Sequence, residues 1–76
     1  MVRDLSNGGC GVLLARRFEP GTELSIELST GPDATPRRLS ARVVRVEPEK
    51  AGHWVHGCAF PARITDDELA ALLKHA

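Results

Sequence analysis

The stretch E-L-S-I-E-L-S at residues 23–29 alternates polar and apolar side chains without a break. Successive side chains of a β-strand point to opposite faces of the sheet, so this pattern predicts a strand with one buried face. We expect Leu24, Ile26 and Leu28 to form the inward face. The chain is therefore predicted to be built from antiparallel strands that are each covered on one side.

The segments on either side of this strand predict a neighbouring strand and two connections. Residues 10–17 form an apolar run that we expect to pair with it. Between them, F-E-P-G at residues 18–21 suits a tight turn, because proline fixes one backbone angle and glycine accepts the positive one. Residues 30–37 contain glycine and two prolines, and they are predicted to be a polar loop.

Two more strands are predicted in the second half of the chain. Within residues 39–46 the alternation changes phase, so that Val44 and Val46 face away from the residues before them. A β-bulge near Val43 and Val44 would explain this change, as would a strand that is buried on both sides. Residues 53–60 form the last strand. Its common face carries Trp54, His56, Cys58 and Phe60.

A C-terminal helix has the clearest boundary in the sequence. Thr65 as N-cap and Glu68 three residues later form a capping box, and Ile64 and Leu69 are placed to form the hydrophobic staple around it. Lys74 in the last turn matches the helix dipole. Because so short a helix is not stable alone, its apolar stripe must cover a sheet, a barrel opening or a partner. The stripe consists of Leu69, Leu72 and Leu73.

Together these elements predict a mostly β fold, a small antiparallel β-barrel with one C-terminal α-helix. A chain of 76 residues is expected to form a single domain over residues 1–76. Ten basic and ten acidic residues cancel, so the chain lacks the positive charge that non-specific nucleic-acid binding requires. It has neither an apolar run of membrane-spanning length nor a signal-peptide pattern, and we expect a cytoplasmic protein without a membrane span.

The cysteines and histidines suggest neither a metal site nor an enzyme. Cys10 and Cys58 lie in apolar strand contexts and are predicted to be buried and reduced, although a disulfide between them depends on Cα positions that the sequence does not give. His56 and Cys58 share a strand face but lack two further metal ligands. The pair also lacks an orienting group and an oxyanion site, so no catalytic residue and no cofactor are predicted. We expect His56 to be a hydrogen-bonded residue at the rim.

Residues 4–12, D-L-S-N-G-G-C-G-V, contain a D-x-S-x-x-G pattern. In extended chain, Asp4 and Ser6 point the same way and can meet one edge of a ligand. A carboxylate only accepts hydrogen bonds and suits a donor-rich edge such as N1 and N2 of guanine, whereas a hydroxyl can donate or accept. The glycines allow close backbone approach to a ligand. The alternative interpretation is an Asx-type turn that enters a strand.

This pattern, in its context, resembles the D/N-x-S-x-x-G motif of the PilZ domain, the bacterial receptor module for cyclic di-GMP. The resemblance implies a PilZ-like β-barrel in which Asp4, Ser6 and Gly9 contact the nucleotide. It also implies a protein effector as partner. The other matching pieces are the P-G turn at residues 20–21, the strands at 23–29 and 40–46, and H-G-C-A-F at 56–60 before a short helix.

The front of the chain departs from the family pattern. PilZ domains carry R-x-x-x-R and a first strand before the aspartate, whereas here only residues 1–3 precede it, which implies an N-terminally truncated domain. Loss of two charge-assisted hydrogen bonds would weaken binding by about 3–6 kcal/mol, so we expect weak binding or none unless Arg3, Arg16, Arg17 or another subunit supplies the charge. Residues 38–42 have the R-x-x-x-R spacing but follow the motif, and are interpreted as exposed arginines flanking a strand.

The rival hypothesis is a PilZ-like protein-interaction or assembly domain that binds no nucleotide. Fold analogy alone does not distinguish the two. An open barrel edge would favour a homo-oligomer, formed by edge pairing, strand exchange or packing of the leucine stripe across subunits.

Overall fold

The computed structural model describes residues 2–29, 32–33 and 35–75. Five strands form one antiparallel sheet in the order β1-β2-β5-β4-β3, and the sheet curls into a half-barrel that is followed by one C-terminal helix. The predicted fold class is confirmed. The elements are β1 (Val2–Leu5), β2 (Gly9–Leu14), β3 (Glu23–Leu28), β4 (Arg37–Pro48), β5 (Trp54–Ala59) and α1 (Asp66–His75), with a 3-10 turn at Lys50–Gly52.

The strand predicted at residues 23–29 is β3, and its apolar residues pack against the core as expected. The strand predicted at 10–17 begins one residue earlier and ends at Leu14, because the chain leaves β5 there. Strand β4 is longer than predicted and already begins at Arg37, which shortens the predicted loop. Thr30, Gly31 and Ala34 of that loop lie outside the described residues.

The predicted bulge lies at Val44. In the ladder between β4 and β5 the register shifts between Val43 and Arg45, so Val44 is the extra residue. Its side chain is 56% exposed, whereas Val46 returns to the inner face and packs against the core. The sequence had placed Val44 and Val46 on the same face. That expectation was wrong because the bulge separates them.

Strand β1 was not predicted, because four residues are too few for a periodic signal. It pairs with β2 through a hairpin in which the Ser6 N–H donates to the Gly9 carbonyl at 2.9 Å. A second register shift, between Val2 and Asp4, leaves Arg3 without a cross-strand partner. The aspartate of the D-x-S-x-x-G pattern thus lies in an edge strand and not in a turn.

The helix begins as predicted. The Glu68 N–H donates to Thr65 Oγ1 at 3.1 Å, and the Thr65 N–H donates to Glu68 Oε1 at 3.3 Å. Leu72 is only 1% exposed and Leu69 packs against the core, but Leu73 is 53% exposed, so the leucine stripe is only partly covered. The predicted role of Lys74 lies outside the described side chains. Among the described residues no helix has the length and apolar character needed to cross a membrane.

His56 is a core residue and does not lie at the rim, contrary to the prediction. It is fully buried on the inner face of β5. The Phe18 N–H donates to its Nε2 at 3.0 Å, and its Nδ1 lies 3.2 Å from the Trp54 carbonyl oxygen. Nε2 must therefore be an acceptor and Nδ1 a donor, which is the neutral Nδ1–H tautomer. Burial is possible because both ring nitrogens have partners.

Candidate functional site

A groove of about 390 Å³ crosses the outer face of the sheet at the D-x-S-x-x-G residues. Asp4, Ser6 and Gly9 all line it, and the side chains of Asp4 and Ser6 are exposed, as the sequence predicted. No described residue forms an ion pair or hydrogen bond with the Asp4 carboxylate. The three residues are therefore together, and the carboxylate is available to a ligand.

One transverse row of residues runs through this groove across four neighbouring strands. Asp4 of β1 pairs with Gly11 of β2, Gly11 pairs with Gly57 of β5, and Gly57 pairs with Arg45 of β4. We call the two central residues, Gly11 and Gly57, the glycine floor. Both register shifts lie immediately before the ends of the row, one before Asp4 and one before Arg45. An acid and a base thus stand at the two ends of a row whose central residues carry no side chains.

The two charged side chains lie close over the floor. A Cβ atom added to Gly11 would stand 3.2 Å from Asp4 Oδ2. A Cβ atom added to Gly57 would stand 2.9 Å from Arg45 Cγ and 3.0 Å from its Nε. The Asp4 and Arg45 side chains therefore lie over the floor, and a side chain at either glycine position would crowd them.

Gly9 has a different role from the floor glycines. A Cβ atom at Gly9 would lie 2.2 Å from the carbonyl oxygen of Cys58, a distance that no packed structure tolerates. The obstacle is backbone, so it cannot move without separating β2 from β5. The pairing of these strands therefore requires glycine here, whether or not a ligand is bound.

Ser6 closes the hairpin between β1 and β2. Its hydroxyl donates to the Gly9 carbonyl oxygen at 3.3 Å, the same oxygen that its own N–H reaches. The hydroxyl proton is thereby used within the turn. Its oxygen can still accept a hydrogen bond from a donor in the groove.

Asn7 connects the hairpin turn to the start of the helix, a role that the sequence analysis missed. Its side-chain amide donates to the Ile64 carbonyl at 2.9 Å and to Asp66 Oδ1 at 3.0 Å. Its own carbonyl accepts from the Ile64 N–H at 2.9 Å. Two hydrogen bonds thus join Asn7 to Ile64, just before α1, and a third joins it to Asp66, the first residue of α1.

The R-x-x-x-R spacing at residues 38–42 lies away from the groove. Arg38 pairs with Glu27 at 2.7 Å and Arg42 with Glu23 at 3.4 Å, both across the ladder between β3 and β4. Their side chains are exposed, as interpreted, but both arginines lie within β4 and do not flank it. Neither lines the groove.

The three arginines expected to supply missing charge are also occupied elsewhere. Arg3 pairs with Glu49 at 2.7 Å, and this hydrogen bond, with a second from the Lys50 N–H, holds the pKa of the Glu49 carboxyl below its ordinary value. Arg16 lies over the Phe18 ring and Arg17 over the Trp54 ring. None of the three lines the groove.

Two arginines that were not considered do border the motif. Arg45 lines the groove, and the nearest carboxylate oxygen, on Glu47, is 3.8 Å from its Nε. Arg63 lies beside Gly8, where an added Cβ atom would be 3.1 Å from its Nη1. Arg45 is recognisable from the sequence only if the bulge at Val44 is counted, because the bulge decides which residue of β4 lies opposite Gly57.

Cys10 and Cys58 lie behind the floor, on the core side of the sheet. They face each other directly across β2 and β5, and both are buried free thiols. Burial, with a smaller contribution from Cys58 nearby, raises the pKa of Cys10 to about 12. Burial also raises the pKa of Cys58. Among the described residues no cluster of three or more His, Cys, Asp or Glu side chains could hold a metal ion.

Comparison with known proteins identifies one family. The model described as PilZ domain matches residues 1–76. No curated protein and no solved structure matches the chain.

Proposed function

The chain belongs to the PilZ domain family, and from this premise we propose that it is a bacterial signalling module that binds cyclic di-GMP and relays binding to a protein effector. PilZ domains are in general modules that bind cyclic di-GMP, and they are typically not enzymes. The proposed site is the groove over the glycine floor, with Asp4, Ser6 and Gly9 as its family residues.

The observation that carries this proposal is the free Asp4 carboxylate beside a floor without side chains. An unpaired acceptor at the edge of a groove of about 390 Å³ suits the N1 and N2 hydrogens of a guanine. Ser6 accepts a further hydrogen bond, and Gly9 holds the hairpin that positions both side chains. The exposed apolar side chain of Val44 also lines the groove and offers contact to the flat face of a base.

We expect the affinity of residues 1–76 for cyclic di-GMP to be low. No R-x-x-x-R precedes Asp4 within these residues, and the charge-assisted bonds that such arginines supply are worth about 1.5–3 kcal/mol each. A dissociation constant in the micromolar range or above is the expected result.

Calorimetric titration of residues 1–76 with cyclic di-GMP tests the proposal. Asp4→Ala should weaken binding by about tenfold to a hundredfold, because a charged acceptor is lost. Asp33→Ala is the matched control, since Asp33 is an exposed aspartate that does not line the groove. Absence of binding by the unmodified chain, or equal binding by Asp4→Ala, would contradict the proposal.

The relay is proposed to run through Asn7. A ligand that contacts Ser6 and Gly9 affects the two turn residues between them, Asn7 and Gly8. The hydrogen bonds of Asn7 end at Ile64 and Asp66, at the start of α1. A change in the hairpin would therefore alter the position or stability of the helix. The effector is proposed to read this change at the exposed side of α1, which carries Leu73.

We propose the bacterial cytoplasm as the setting and a homo-oligomer as the working form. Reduced Cys10 and Cys58 agree with a reducing compartment. In the described part of the chain β1 and β3 are the outer strands of the sheet, and outer strands offer backbone groups to a second chain.

An interaction or assembly domain that binds no nucleotide is the second candidate. The observation in its favour is that Ser6 and Gly9 both have structural roles, in the hairpin and in strand pairing. This candidate predicts that Asp4→Ala leaves all binding properties unchanged, so the titration above separates the two.

A further inference from the structure

We infer that Arg45 is the arginine of the binding site and that it reads the acceptor edge of the same guanine whose donor edge Asp4 reads. This inference rests on the proposed function and assigns a role to a residue outside the D-x-S-x-x-G pattern. One guanine would contact both side chains over Gly11 and Gly57.

The register of the sheet provides the geometry. Asp4 and Arg45 are separated by three strand spacings, about 14 Å between their Cα atoms. Both side chains reach back over the neighbouring glycines, Asp4 over Gly11 and Arg45 over Gly57, so their charged groups lie closer together than this and can contact two adjacent edges of one base.

The chemistry of the two ends matches the two edges of guanine. The Asp4 carboxylate accepts hydrogen bonds, and the N1 and N2 positions of guanine donate them. A guanidinium group only donates, and O6 and N7 of guanine are the acceptors to which arginine binds in a bidentate manner. Adenine carries an amino group in place of O6, so its donor would face the donors of Arg45.

Arg45 is also the arginine whose donors are available at this position. Its side chain is 73% exposed, and the Glu47 oxygen at 3.8 Å lies beyond hydrogen-bond distance. Arg3, Arg38 and Arg42, by contrast, each hold a closer carboxylate. Arg63 lies beside Gly8, at the hairpin turn, three residues along β2 from the floor. Arg45 therefore faces the floor with only the loose ion pair to Glu47 as a competing contact.

The experiment follows the backbone amide signals of Gly11 and Gly57 by NMR during titration with cyclic di-GMP, cyclic di-AMP, GMP and AMP. Arg45→Ala should weaken binding of both guanine nucleotides by about tenfold to a hundredfold and lower the preference for guanine over adenine by about tenfold. Arg45→Lys should not restore this preference, because lysine keeps the charge but loses the bidentate geometry. Arg38→Ala is the matched control, on the same strand and with a side-chain exposure of 72%.

Each possible outcome supports or overturns the role of Arg45. Binding of cyclic di-GMP by the unmodified chain with no change in Arg45→Ala would overturn the role of Arg45 and leave the proposed function standing. Rescue by Arg45→Lys, or equal losses for guanine and adenine nucleotides, would overturn it in favour of a phosphate contact. Arg45-dependent binding of GMP without binding of cyclic di-GMP would support it while the proposed function fails. If none of the four nucleotides binds, both the role of Arg45 and the proposed function are overturned.

Discussion

A methyl group at Gly9 would collide with the backbone of Cys58, whereas one at Gly11 would meet only the side chain of Asp4. A loss of binding therefore has a different cause when Gly9 is substituted than when Gly11 is substituted. Loss of binding in a Gly9 variant would reflect separation of β2 from β5. Loss of binding in a Gly11 variant would reflect a change in the groove itself, since the Asp4 side chain can move aside without disturbing the sheet.

The buried thiol of Cys10 predicts a loss of stability at alkaline pH. Its pKa is raised from 9.0 to about 12 in the folded chain, because burial disfavours the thiolate. Between these values the thiol ionises in the unfolded chain but not in the folded one. The stabilisation that the un-ionised thiol gives the folded chain is therefore complete below pH 9. As the pH rises above 9, the free energy of unfolding falls by about 1 kcal/mol per pH unit. Urea unfolding under reducing conditions at pH 7, 9 and 10 measures this slope.

Cys10→Ala serves as the control for that slope. The variant retains the second buried thiol, Cys58, and the raised pKa of Cys58 acts in the same direction. We expect a smaller decrease in the free energy of unfolding between pH 9 and 10 than in the unmodified chain. An identical pH dependence would contradict the burial of an un-ionised Cys10.

Among the strands and the helix, the sequence correctly predicted those that are defined by a pattern of neighbouring residues. The alternation of β3 and the capping box at Thr65 and Glu68 each lie within a few residues, and both were correct. The bulge at Val44 was one of two explanations that the sequence offered, because a phase change is visible along one strand. Strand β1 was missed since its four residues are defined by pairing with β2 and not by a pattern of their own.

The link between the hairpin and α1 predicts a specific effect of Asn7→Ala. This variant removes both hydrogen bonds from the side-chain amide to Ile64 and Asp66. We expect a loss of about 1–2 kcal/mol in the free energy of unfolding. We also expect that cyclic di-GMP still binds but changes hydrogen exchange at the amides of α1 less than in the unmodified chain, because only the hydrogen bond from the Ile64 N–H to the Asn7 carbonyl remains. Hydrogen exchange with and without the nucleotide measures this.

Thr65→Ala is the matched control, because it weakens the same helix end without cutting the link. Loss of an N-cap costs about 1 kcal/mol, similar to the expected effect of Asn7→Ala. In this variant the nucleotide should still change exchange in α1. If Asn7→Ala retains the full response, the relay does not pass through Asn7.

For the whole molecule, the candidate site combines a local part and a distant part. Asp4, Ser6 and Gly9 are close in sequence, so their convergence was predictable from extended geometry. Gly57 and Arg45 reach the same groove only through the pairing of β2 with β5 and of β5 with β4. Sequence periodicity does not specify which strands are neighbours, and a one-residue error in register would exchange Arg45 for another residue.

The two outer strands of the described sheet differ in how well they could pair with a second molecule. Strand β1 is short and carries a register shift, and both features discourage pairing. Strand β3 is regular over six residues, and its exposed acids are already neutralised by Arg38 and Arg42 of β4. Leu72 is buried in its own core and offers nothing to a partner. We therefore predict that homodimers form through antiparallel pairing of two β3 strands.

Ser25→Pro tests this prediction. Thr22 accepts a hydrogen bond from the Val43 N–H, and by the alternation of an antiparallel ladder Leu24 and Ile26 are then the residues bonded to β4. The N–H of Ser25 accordingly points to the free edge, so proline there removes a bond to a partner chain but none within the sheet. Light scattering over a concentration series should give a dimer for the unmodified chain and a monomer for Ser25→Pro, with Ser40→Ala, on the paired strand, remaining dimeric. A chain that stays monomeric at millimolar concentration would exclude pairing through β3, and a dimer that survives Ser25→Pro would require another interface.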